Sequence, residues 1–264
     1  MYLMWVHNIN PTLLKLGPFE VRFYGIVFAL GFLVTYLILN HYRKKQEIKI
    51  SKDDLDNYII YIILGVVIGS RIFHLFWDIP YYFTNPLKIF AIWEGGLAFH
   101  GGLVGILFVT YYFCKKKNLS FWKFADIIAI PAALFLAFGR IANFINGELP
   151  GTLSNLPWCV QFPSAEGCRH PSQIYGAIKR FIIFFILIAL YKKKEKFKDG
   201  FVFWMFIALM GLGRLLLDFF RDDPRFLSLS FGQYQSLIMF IIAVFVLLKY
   251  YKPFQKPQDH DALT

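Results

Sequence analysis

The sequence predicts an all-α integral membrane protein: a bundle of seven transmembrane helices with a small exoplasmic cap, its N terminus outside and its C terminus cytoplasmic. Three observations predict it. Of 264 residues, 57% are apolar and only 17% charged, whereas a soluble domain carries roughly 45–50% apolar and about 25% charged residues. Apolar runs recur at the length of about 20 residues that a bilayer requires. Lys and Arg collect at every second junction between those runs. Mean hydropathy is +0.50 and aromatic residues reach 20%, which argues against disorder, collagen, coiled coil and a cytosolic enzyme.

The runs fall at about 20–40, 57–77, 97–114, 121–142, 173–191, 200–220 and 233–250, each read as one span. The basic clusters are Arg43, Lys44, Lys45, Lys49 and Lys52; Lys115, Lys116, Lys117 and Lys123; Lys192, Lys193, Lys194, Lys196 and Lys198; and Lys249, Lys252 and Lys256. The alternate junctions hold only Lys15, Arg22, Lys88, Arg169, Lys179, Arg180, Arg221 and Arg225, and Arg71, Arg140 and Arg214 lie within spans. The clustered side is therefore cytoplasmic. This accounts for the net charge of +11 as a topology signal beside anionic lipid, with no nucleic-acid partner. The first run lacks a preceding basic region and is expected to stay in the mature protein. Residues 1–252 read as a single membrane domain, with the cap at about 143–172 and a polar cytoplasmic tail at 253–264. Cys159 and Cys168 lie in the cap, where they are either bridged or free; Cys114, at a cytoplasmic end, is expected to be reduced.

Ionisable groups inside the spans are costly and mark candidate sites. In the sixth span Arg214, Asp218 and Arg221 follow at spacings of four and three, which puts them on one helical face. Asp218 either neutralises Arg214 to pin the packing or belongs to a site. The fourth span ends in Gly139-Arg140-Ile141-Ala142-Asn143-Phe144-Ile145-Asn146-Gly147-Glu148-Leu149-Pro150-Gly151. Arg140 and Asn143 share a face, and the Gly and Pro residues beyond them break the helix at the outer interface. The third span opens with Trp93-Glu94-Gly95-Gly96-Leu97-Ala98-Phe99-His100-Gly101-Gly102. There glycines permit close approach and His100 is either a proton acceptor or a helix–helix hydrogen-bonding group. His74, three residues after Arg71, reads as structural. No CxxC, HExxH, Walker loop, GxGxxG or GxSxG is present, so no metal or cofactor is expected.

Arginine's planar fork suits phosphate. Arg140, Arg214 and Arg221 near the outer leaflet, with His100 as a base, therefore suggest a lipid phosphate site able to stabilise a departing phosphate. Two other readings use the same residues: an anion transporter, which predicts paired broken helices in two related halves that the sequence lacks, and a noncatalytic lipid-binding membrane protein.

The run Gly139 to Gly151 resembles the signature of bacterial prolipoprotein diacylglyceryl transferases, Gly-Arg-x-(Gly or Ala)-Asn-Phe-x-Asn-x-Glu-x-x-Gly, at every specified place. The resemblance extends to Phe23-Tyr24-Gly25, Gly69-Ser70-Arg71, Gly95-Gly96, Phe99-His100-Gly101-Gly102, Arg169-His170-Pro171-Ser172-Gln173, Arg214 to Arg221 and Gly232-Gln233. It implies a seven-span transferase of the bacterial inner membrane, with its active site toward the exoplasmic side. Such an enzyme moves the sn-1,2-diacylglyceryl group of phosphatidylglycerol to the lipobox cysteine of a prolipoprotein signal peptide. The products are a thioether and glycerol 1-phosphate, in the first step of lipoprotein maturation.

Carried over, the family's functional residues fall on Tyr24, His100, Arg140, Asn143, Glu148, Gly151, Arg214, Asp218 and Arg221. Arg140 and Arg214 would take the lipid phosphate, and His100 the thiol proton or the polarising of the leaving group. Tyr24 and Asn143 would orient the head group, Glu148 would fix Arg140 or its neighbours, and Gly151 would keep the loop close to substrate. The chain departs from the family pattern at Asp218 and Gly176, where Glu is usual, and at His74, where Tyr is usual. Its loop after Gly151 is also short.

Overall fold

The computed structural model describes residues 5–16, 19–76, 79–91 and 96–251. The polar tail, and Trp93, Glu94 and Gly95 of the glycine-rich run, lie outside the described residues. Helices dominate: α1 (Phe23–Lys44), α2 (Lys52–Leu75), the short α3 (Ile79–Thr84), α4 (Phe99–Lys116), α5 (Phe121–Ile145), α6 (Ser172–Tyr191), α7 (Phe201–Leu217) and α8 (Phe231–Tyr250). Six helical segments are long and apolar enough to cross a membrane: α1, α2, α5, α6, Phe201–Phe220 and α8. The third apolar run is also helical, as the 18-residue α4.

Many exposed side chains along these helices are large and apolar. On α1, Leu30, Leu33 and Leu37 are each at least half exposed, a stripe that suits lipid and would be out of place in water. The protein is an all-α membrane protein.

Contacts divide the chain into two compact units, 1–31 with 125–264, and 32–124. In the second unit α2 starts at a capping box formed by Ser51 and Asp54, and Lys117 Nζ pairs with Asp54 at 2.5 Å. The α2–α4 contact is built on glycine. Gly65 and Gly69 on α2 face Gly105 and Gly101 on α4 so closely that a Cβ on Gly65 would stand 3.1 Å from the Gly105 carbonyl oxygen. Small residues four apart let the two backbones touch, and van der Waals contact then substitutes for a hydrophobic drive that lipid does not supply. A buried Tyr58–Thr110 hydroxyl pair at 2.9 Å closes the same interface.

Arg71 explains part of this unit. Its guanidinium donates to the carbonyls of Ile89 (2.9 Å), Gly96 (3.1 Å) and Lys88, and it lies 5.4 Å from the Tyr82 ring centre. It thus pins the segment after α3, a 3₁₀ turn at Pro86–Phe90, to α2. Gly96 has φ +73° and its backbone lies against His74 and Arg71, so His74 has polar company that its sequence neighbours did not show.

In the first unit, on the leading shoulder of the first apolar run, β2 (Thr12–Leu16) pairs antiparallel with β3 (Phe19–Arg22). Helices α6, α7 and α8 pack in sequence. Gly211 on α7 admits the Ser236 carbonyl of α8, 2.8 Å from where a Cβ would be. Asp126 on α5 caps α7 across the fold, accepting from the backbone N–H of Gly200 and Phe203 at 2.7 Å each, where a carboxylate also meets the positive end of the helix dipole. Between α5 and α6 the chain forms a small layer: β4 (Val160–Gln161) pairs in parallel with β1 (Trp5–Val6) and antiparallel with β5 (Cys168–Arg169). Cys159 and Cys168 are bridged, with Cα atoms 5.5 Å apart. Buried His7 joins this layer to α5 through Nε2 and the Phe144 carbonyl oxygen at 2.7 Å.

Candidate functional site

The helix carrying Arg140 and Asn143 runs unbroken to Ile145, so the pair does share a face. Gly147 then takes φ +65°, a left-handed conformation that glycine adopts without strain, and the chain turns back. Glu148 lands where it accepts from Asn143 Nδ2 and Asn146 Nδ2, both at 3.0 Å. Glu148 therefore holds the two asparagines and makes no ion pair with Arg140. Buried Gln173 donates from Nε2 to the Glu148 carbonyl at 2.6 Å, and Ser172 Oγ donates to the Leu149 carbonyl at 3.0 Å. The first turn of α6 thereby fixes the loop.

Gly151 is wedged between two backbones. A Cβ there would lie 2.5 Å from both the His170 and the Phe220 carbonyl oxygens. Its N–H donates to His170 O at 3.0 Å, and the next N–H, of Thr152, donates to Phe220 O at 3.0 Å. Gly151 also forms a β-bridge with Arg221. Arg169 donates to the Gly151 carbonyl at 3.1 Å and pairs with Asp222 at 2.6 Å. His170, packed against Tyr175 and Phe220, has its pKa lowered by burial.

The expectation that Arg214, Asp218 and Arg221 share one helical face needs correction. Helix α7 stops at Leu217, residues Asp218–Phe220 form a 3₁₀ turn and Arg221 is extended. Pro224 lies just beyond, and the residue before a proline avoids the helical region. The three nevertheless stay together: Arg214 Nε donates to Asp218 Oδ2 at 3.1 Å, and Arg221 Nη1 is 4.0 Å from Asp218 Oδ1. Arg221 pairs more closely with Asp223, through Nε at 3.1 Å and Nη2 at 3.1 Å.

Arg140 stands within electrostatic reach of Arg214, Arg221, Asp218 and Tyr24, and Tyr24 within that of Glu148. Eight of the nine candidate residues are thus gathered in one unit. The ninth, His100, is on the first turn of α4 in the other unit, with its side chain exposed.

Two further cations join the first unit's cluster. Lys179 and Arg180, counted from sequence as residues of an outer junction, lie inside α6, seven and eight residues past its start. Both are within electrostatic reach of Arg140, Arg214 and Asp218. The signal was visible, since both positions fall within the apolar run 173–191. Glycines make the room: the Arg140 stem and Arg180 Nη1 lie over Gly176, the Lys179 stem over Gly213, and the Arg214 guanidinium over Gly232. Asp218 and Asp223 answer Arg214 and Arg221, whereas Arg140, Lys179 and Arg180 have no acidic partner among the described residues. Such a cluster is suited to hold an anion and to stabilise negative charge that develops on it. Among the described residues no group of His, Cys, Asp and Glu is placed to hold a metal ion.

Known proteins share this arrangement of sequence. The model of the family "Prolipoprotein diacylglyceryl transferase" matches residues 11–249. A phosphatidylglycerol–prolipoprotein diacylglyceryl transferase of Geobacter sulfurreducens is 38% identical over 244 residues, covering 90% of this chain and 94% of the relative. The protein of the same name from Bordetella avium is 40% identical over 252 residues, covering 91% and 95%. That of Solidesulfovibrio magneticus is 36% identical over 257 residues, covering 93% and 97%. A match along nearly the whole length places this chain in the prolipoprotein diacylglyceryl transferase family.

Proposed function

We propose that the chain transfers the diacylglyceryl group of phosphatidylglycerol to the lipobox cysteine of prolipoproteins, forming a thioether and releasing glycerol 1-phosphate. The observation that carries this reading is the gathering of Arg140, Lys179, Arg180 and Arg214 around one buried acid, Asp218, in a chain of this family. A cationic pocket among apolar helices suits a phosphodiester whose acyl chains remain in lipid.

In this reading the protein is one membrane domain of seven spans over residues 1–252. Helix α4, third in chain order, completes the seven spans: 18 residues rise about 27 Å at 1.5 Å each, and Lys115 and Lys116 close its last turn. The basic ends of α1, α4, α6 and α8 face the cytoplasm. The ends of α5 and α7 that carry Arg140 and Arg214 then face outward, and residues 143–172 form an exoplasmic cap in an oxidising compartment that suits its disulfide. The C terminus is cytoplasmic and the membrane is the bacterial inner membrane.

Arg140 and Arg214 hold the lipid phosphate. Asn143, oriented by Glu148, and Tyr24 position the head group, and Asp218 and Arg221 shape the cation array. Gly151 holds the loop against the segment after α7. His100 takes the proton of the thiol, which must become thiolate to attack.

The test is reconstitution. Purified protein given phosphatidylglycerol and a lipobox peptide forms a diacylglyceryl thioether without added metal or nucleotide, and Arg140→Ala abolishes product while the protein remains inserted. Product formed at the normal rate by Arg140→Ala would overturn the phosphate role of Arg140.

A further inference from the structure

We infer that Lys179 and Arg180 are phosphomonoester-binding groups, used for the departing glycerol phosphate more than for the intact lipid; this rests on the transfer reading above. Lys179 is half-buried and Arg180 buried, eight and nine positions along an apolar helix. Arg180 spends one donor on its own helix, Nη1 to the Gly176 carbonyl at 2.8 Å, and its buried Nε has no hydrogen-bond partner among the described residues. Lys179 crosses Gly213 toward α7, the helix that carries Arg214. Neither makes an ion pair among the described residues, and against the single acid Asp218 both feel Arg140 and Arg214 as like charges. Cations crowded together in excess of the one acid they share, Asp218, repel one another, and an anion relieves the repulsion.

The charge of that anion follows from the chemistry. A lipid phosphodiester brings one negative charge, which Arg140, with no ion pair of its own, already matches. During transfer the sulfur lone pair forms the C–S bond at the glyceryl carbon as the C–O bond breaks. The electron pair of that bond stays on the phosphate oxygen, and the thiol proton goes to the base. The leaving phosphate is then a monoester carrying up to two negative charges at neutral pH. Lys179 and Arg180 supply positive charge beyond what the substrate requires and in keeping with what the product requires. Groups that meet charge only as it develops accelerate the chemical step without tightening the ground state.

The experiment uses the full-length protein in detergent and in phosphatidylglycerol vesicles. For Lys179→Met and Arg180→Met, kcat is expected to fall roughly tenfold to a hundredfold, with KM for phosphatidylglycerol nearly unchanged. Glycerol 1-phosphate should bind these variants at least roughly tenfold more weakly, whereas glycerophosphoglycerol, the deacylated diester, should bind as before. Arg180→Lys should recover most of the loss. Lys192→Gln, which removes a charge at the far end of the same helix, should change neither. Without anion, the thermal midpoint of Lys179→Met should match or exceed that of the parent, because a like-charge neighbour is gone. Parallel loss of monoester and diester binding, or no loss of either, overturns the inference. A lowered midpoint with both affinities retained overturns it in favour of a packing role. Monoester-selective binding in a parent protein that makes no thioether overturns the transfer reading and supports the anion site itself.

Discussion

Among the arginines inside apolar helices, Arg71 on α2 and Arg140 on α5 differ in their hydrogen bonds. Arg71 is almost fully enclosed, and its fork is occupied by the carbonyls of Lys88, Ile89 and Gly96. Arg140 is half-buried and makes no hydrogen bond or ion pair among the described residues, with Arg214, Arg221 and Asp218 as its charged neighbours. The comparison teaches that an intramembrane arginine becomes a binding group when its donors are left open. One whose donors are used up by backbone is a bolt. Cost of insertion alone does not separate the two.

Substitutions sharpen this contrast. Arg140→Gln keeps much of the volume and removes the charge; transfer should fall roughly a hundredfold to a thousandfold with the thermal midpoint unchanged, read by thioether formation and by unfolding in the same detergent. Arg71→Gln should do the reverse in the stability assay, losing about 3 kcal/mol as charged hydrogen bonds to buried carbonyls are broken. If Arg71→Gln melts like the parent, the bolt reading is wrong. Gly101→Ala attacks the same region through packing: its Cβ would stand 2.6 Å from Phe73 Cβ and closer still to the Gly69 carbonyl. A destabilisation of about 1–3 kcal/mol is expected, measured by unfolding and by cross-linking between α2 and α4. The smallest effect belongs to Asn143→Ala, which leaves Glu148 held by Asn146 alone; transfer should drop roughly tenfold, and Asn143→Gln should not restore it if placement of the amide is what matters.

Much of this was legible from residues. All seven apolar runs are helices, within a few residues of their expected limits, because an uninterrupted apolar stretch has few other ways to satisfy its backbone in lipid. The Arg140–Asn143 face and the break at Gly147 followed from helical spacing and glycine conformation. What escaped depends on contacts between distant positions. Arg71 is saturated by carbonyls 17 to 25 residues away, which no local pattern announces. Lys179 and Arg180 were counted by nearness to a junction, although helix α6 begins at Ser172 and carries them inward. The β2–β3 pairing was hidden because its residues border an apolar run and a two-stranded ribbon is a weak signal. The cysteine pairing required three-dimensional proximity, which the strands β4 and β5 provide.

Gly151 draws three separate stretches of chain to a single crossing: the loop after α5, the approach to α6 at His170, and the exit from α7 at Phe220 and Arg221. The stretch between Leu153 and Gly167 leaves that crossing as a lobe, tied back by β1 at Trp5–Val6 and by Ser164 Oγ on the Gly147 carbonyl. A methyl group at Gly151 would therefore wedge all three stretches apart at once, shifting the backbone on which Arg221 is mounted.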